Sequence, residues 1–157
     1  MNIITLKTEI ARAIDSDDTI KTWCLQNYSQ EHKVYSGWDK RNLPDDDDCP
    51  CVIFRVSGKS TGRGVEEKLH TVIVKCVVSD SSERTYPGSN NLTEYMGEKN
   101  LETFRKYVET SIADLSINNI LLDTVDIEYD MDEFPKMSAE MELIFIEPVI
   151  LGLDPLV

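Results

Sequence analysis

The stretch from Cys49 to Ser79 constrains this chain most. Two runs rich in β-branched residues, Cys51–Ser57 and Leu69–Val78, flank the segment Gly58-Lys-Ser-Thr-Gly-Arg-Gly64. Glycines between two such runs predict a long β-hairpin, because they accept the backbone angles that a reversal needs. Alternation puts Val52, Phe54 and Val56 on one face of the first strand, and Val72, Val74, Cys76 and Val78 on one face of the second. Thr71 and Lys75 mix with apolar residues on the opposite side. The hairpin is therefore read as burying one face fully and the other in part. Something else in the chain must cover it.

Helical periodicity supplies the cover. Ile3, Leu6, Ile10, Ala13 and Ile14 predict an amphipathic helix over about 3–14, and Ile20, Trp23, Cys24 and Tyr28 a shorter one over about 18–28. A third helix is read from an N-cap at Asn100, with Leu101, Phe104, Val108, Ile112 and Leu115 on its apolar face. Glu102, Arg105, Lys106 and Glu109 are assigned to its solvated side. Val34-Tyr35 is a short edge strand within a loop from Ser29 to Asp48, and Ser79–Asn91 is a linker. Leu122–Tyr129 and Ala139–Ile146 alternate as two further strands around the turn at Asp130–Pro135. Pro148 and the apolar tail Leu151–Val157 are expected to leave the sheet, the tail docking on its own domain or a neighbour. The fold class is α+β in a single domain, 1–157. A mainly antiparallel sheet with a long β-hairpin packs against an N-terminal helix pair and one long central helix.

Site chemistry is sparse. Cys49-Pro50-Cys51 lacks the C-x-x-C spacing of a zinc knuckle, and no second pair follows. Asp45 to Asp48 are consecutive, so in an extended chain they point in alternating directions and do not converge on an ion. They are read as a solvated acidic loop. Gly58-Lys59-Ser60 resembles the end of a P-loop, but Ile53 stands where the first glycine belongs and a strand follows instead of a helix. His70 is read as a half-exposed sheet residue and His32 as part of a polar loop, neither within a catalytic signature. No enzymatic activity, cofactor or metal is expected. The N-terminal pattern is no signal peptide, and no apolar run approaches the roughly 18 residues of a membrane span, so cytoplasmic synthesis without membrane contact is expected. The net charge is −13, from 29 acidic against 16 basic residues. Such a surface does not grip nucleic acid phosphates.

The succession of helix, short helix, Val34-Tyr-Ser-Gly-Trp38, acidic loop, Cys49-Pro-Cys-Val-Ile-Phe54, long hairpin, capped helix and two final strands carries a resemblance. It looks like the tail-terminator, or tail-completion, proteins of long-tailed bacteriophages and prophages. Cys51 stands where that family places an aromatic residue after the proline. The resemblance implies a subunit that self-associates into a ring, usually of six copies, in the virion tail, assembled in the host bacterial cytoplasm. Such a ring caps the tail tube, meets head-completion proteins and lets DNA pass through its lumen without specific binding. Possible subunit contacts are Lys59 and Arg63 at the hairpin tip and Leu151 and Leu153 in the tail. The competing expectation is a small acidic inhibitor, or immunity-type, protein that covers a basic partner.

Overall fold

The computed structural model describes residues 1–60 and 67–148, with 59 and 60 described by backbone alone. Three helices and seven strands follow one another: α1 (Ile3–Asp15), α2 (Asp18–Tyr28), β1 (Lys33–Ser36), β2 (Cys51–Ser60), β3 (Glu67–Ser79), β4 (Glu83–Thr85), β5 (Thr93–Tyr95), α3 (Met96–Ala113), β6 (Leu121–Asp130) and β7 (Lys136–Pro148). The main sheet has the order β1-β2-β3-β7-β6, and β4 pairs with β5 in a separate two-stranded sheet. All pairings are antiparallel except β1 with β2. The fold is α+β, as the sequence predicts.

One face of the main sheet carries nearly all the core. Val52, Phe54, Val72, Val74, Cys76, Val78, Ala139, Met141 and Leu143 meet Leu6, Ile10 and Ile14 of α1, Ile20 and Cys24 of α2, and Leu101, Phe104, Val108 and Ile112 of α3. Helices therefore cover a single face. Their ends are set locally, with the Asn2 side chain accepting from the Ile4 N–H and Asp17 accepting from Ile20. On the opposite face a small cluster of Cys49, Cys51, Ile53 and Val77 lies against Tyr35. The loop bearing Trp38, Leu43 and Pro44 joins it around a cleft of about 140 Å³.

Several sequence expectations need correction. Helix α3 begins at Met96, not at Asn100, whose side chain instead donates to Asp80 Oδ2 at 2.9 Å. Tyr28 donates to the same oxygen, also at 2.9 Å, so Asp80 ties the ends of α2, β3 and α3 together. Those donors, with Ser82, outweigh the effect of burial and hold the Asp80 carboxyl below its usual range. The expected linker Ser79–Asn91 contains β4, which pairs with β5 just beyond it, both strands too short and polar to show an alternation. Arg105 is 4% exposed rather than solvated. Pro148 stays in the sheet, closing β7 opposite Glu67. The aspartates form a single 3₁₀ turn, Asp46–Asp48, and Lys33 reaches Asp48 at 2.6 Å.

The early start of α3 needs a residue without a side chain. A Cβ at Gly97 would lie 2.1 Å from Met137 Cε and 2.8 Å from the Asp80 carbonyl oxygen. The methionine end can move, whereas the carbonyl belongs to the turn that Asp80 organises. Gly97→Ala is expected to destabilise by about 1–2 kcal/mol in urea denaturation, because overpacking outweighs the helix-propensity gain of about 1 kcal/mol. A stabilised variant would show that this contact yields freely.

Candidate assembly surface

Both histidines are more enclosed than expected. His70 is 0% exposed, and its Nε2 lies 2.7 Å from Glu147 Oε2. It shares a face with Val72 and Val74, so the alternation itself carried the signal of burial. The Met1 amino group donates to the other Glu147 oxygen at 2.7 Å. Burial opposes ionisation of Glu147, but these two partners prevail and hold its carboxyl below the usual range. His32 is buried, with Nε2 2.6 Å from the Ile14 carbonyl oxygen. Both rings pin elements together. All four cysteines are buried free thiols, and burial pushes those of Cys24 and Cys76 upward. Among the described residues no three His, Cys, Asp or Glu side chains converge as a metal site. No described helix is long and apolar enough to cross a membrane.

The surface with distinctive electrostatics is the sheet face turned away from the helices. Asp126 of β6 stands opposite Glu142 of β7, and Glu128 opposite Glu140. Like charges directly across an antiparallel pair repel, so this arrangement weakens the sheet it sits on. Arg55 Nη2 approaches Glu140 Oε1 at 3.1 Å and relieves one of the four carboxylates. Lys75 stands beside Glu140 in register from β3. Trp38 packs on these two cations, with its ring centre 5.8 Å from the Arg55 guanidinium and 5.4 Å from the Lys75 ammonium. A broad groove of about 510 Å³ runs past Lys75, Glu128, Asp130, Asp132, Ser138 and Glu140. This face offers carboxylates to cations.

The sheet margins are the second feature. Strand β1 covers β2 only from Cys51 to Phe54, with one further bond from the Gly37 N–H to the Phe54 carbonyl. From Arg55 to Ser60, the side of β2 away from β3 pairs with no strand among the described residues. At the other margin, β6 pairs along its length with β7 alone, and its outer side has no strand neighbour among the described residues. Unpaired margins of this length are sites where another chain can add a strand. Of the sequence-predicted contact residues, Arg63, Leu151 and Leu153 lie outside the described residues, as does the side chain of Lys59. The backbone of Lys59 lies on the open margin of β2, in register with His70. The sequence reading does not single out the acidic sheet face or the margins, although the alternation of the last two strands sets Asp126 and Glu128, and Glu140 and Glu142, opposite their apolar neighbours.

No family model matches the chain, and no curated protein matches it. Among solved structures it is similar to a chain described as "Virion of native gene transfer agent (GTA) particle". That similarity has 10% identity and a TM-score of 0.49, and covers 92% of this chain and 93% of the other. At that score the likeness assigns neither fold nor role.

Proposed function

We propose that this chain is a structural, non-catalytic subunit of a phage or prophage tail, forming a ring of the terminator or completion type at the end of the tail tube. The observation that carries the reading is the order of elements. Helix pair, short edge strand, acidic turn, long hairpin, long helix and final strand pair follow in the succession on which the resemblance rests. The unequal sheet margins suit self-association, and helices on a single face leave the acidic face free. A surface with directly opposed carboxylates, on a chain of net charge −13, repels phosphates and suits a lumen through which DNA slides. The tube and head-completion proteins are the expected partners, with the virion tail as the location.

The mass in solution tests this. Light scattering across concentration is expected to give one discrete closed oligomer, visible as a ring by electron microscopy. The same acidic face favours a second reading, an inhibitor that covers a basic partner. A monomer at every concentration that forms a one-to-one complex with a cationic protein would support that reading and remove the ring.

A further inference from the structure

We infer that the ring closes by strand addition, with the open margin of β2 in one copy pairing against β6 of the next. This rests on the ring reading above and goes on to name the surfaces that meet. The two margins are complementary in charge. Residues 55–60 carry Arg55 and Lys59 and no acid, whereas β6 carries Asp123, Asp126, Glu128 and Asp130 and no base. Neither margin suits a copy of itself. A two-fold pairing of β6 with β6 would set carboxylates against carboxylates, and β2 with β2 would bring cations together. The contact is therefore heterologous, the kind of contact that builds a ring when its rotation closes.

Strand direction agrees. Three successive antiparallel pairings separate β2 from β6, so the two run in opposite directions within one copy. Rotation about an axis roughly along the strands preserves direction. A neighbour placed in that way presents its β2 antiparallel to β6, which is the better hydrogen-bonded arrangement. Exposed side chains already line both margins, including Val56 at 39% and Ile127 at 38%. Backbone pairing would supply affinity, and the charges would fix partner and register.

Cysteine cross-linking of the full chain tests this. Ser57→Cys, exposed on the open part of β2, is combined in turn with Thr124→Cys, Asp126→Cys and Glu128→Cys on β6. The native thiols are buried, so oxidation should act on the introduced ones. At least one double variant is expected to give a ladder ending at the mass of the closed oligomer, while the single variants stay uncross-linked. Separately, Asp126→Lys with Glu128→Lys should raise the concentration for half-assembly about tenfold or more, and adding Lys59→Glu should restore much of the loss. A closed oligomer that cross-links in none of the pairs overturns strand addition and leaves the ring intact. Dimers from a single Asp126→Cys or Glu128→Cys overturn the heterologous contact. A monomer under every condition removes the ring reading and this inference together.

Discussion

Arg105→Ala is expected to lower stability by about 3 kcal/mol in urea denaturation. The Arg105 side chain is 5% exposed, and its Nη2 and Nε donate to the two Glu102 oxygens at 2.8 and 3.0 Å. Nη1 meets Glu109 one turn on and lies 3.8 Å from Met141 Sδ, which ties α3 to the sheet. Tyr129 of β6 also donates to Glu102. Removing the guanidinium leaves two carboxylates facing each other beside a vacated apolar space. Arg105→Met with Glu102→Gln, which withdraws both charges and fills that space, should cost less than half as much. The pH profile separates this account from simple loss of packing. Arg105, with Tyr129, prevails over burial and brings the Glu102 carboxyl down from 4.5 to about 2. A depressed carboxyl stabilises the fold above its unfolded-state value, and that contribution is lost as pH falls from about 4.5 towards 2. The loss should be visible in the wild type and much reduced in Arg105→Ala. Equal acid sensitivity in the two proteins would show that the guanidinium does not hold Glu102 ionised.

Phe104→Ala should be at least as damaging, at about 3–5 kcal/mol. Phe104 is 0% exposed, and its ring stacks on Trp23 of α2 at 5.8 Å with an interplanar angle of 8°. The substitution opens a cavity between two helices and the sheet and removes the aromatic contact that seats α2. Trp23 emission is expected to shift to longer wavelength as water reaches the indole, alongside the lower urea midpoint. An unchanged spectrum with lost stability would place the damage elsewhere in the core.

These neighbouring residues show what the sequence makes readable. Phe104 fell on the apolar stripe by its spacing from Leu101 and Val108, and it is buried as expected. Charge points Arg105 to the solvated side, yet it stands four residues after Leu101 and three before Val108. Helical geometry thus placed it at the border of the same stripe, and the positions of Glu102 and Glu109 supplied its counter-charges. The signal was present and was overridden by residue type. The start of α3 is different, because it depends on the distant residues Met137 and Asp80 approaching Gly97, and no local pattern encodes that approach. β4 and β5 likewise offer three residues each and almost no apolar contrast. The long strands were readable because alternation persists through them, but their order in the sheet comes from contacts remote in sequence. The acidic face therefore emerged only once β6 lay beside β7.

The chain's two tryptophans divide between the two sides of the sheet. Trp23 is half-buried among the helices, whereas Trp38 is 37% exposed over Arg55 and Lys75 on the other side. The protein thus carries a separate optical reporter for each face. A neutral quencher such as acrylamide reaches the more exposed Trp38 regardless of the surrounding carboxylates, and a covering partner would shield that indole while leaving Trp23 unchanged. Emission from a Trp23→Phe variant would then follow occupancy of the outer face alone, without any attached dye.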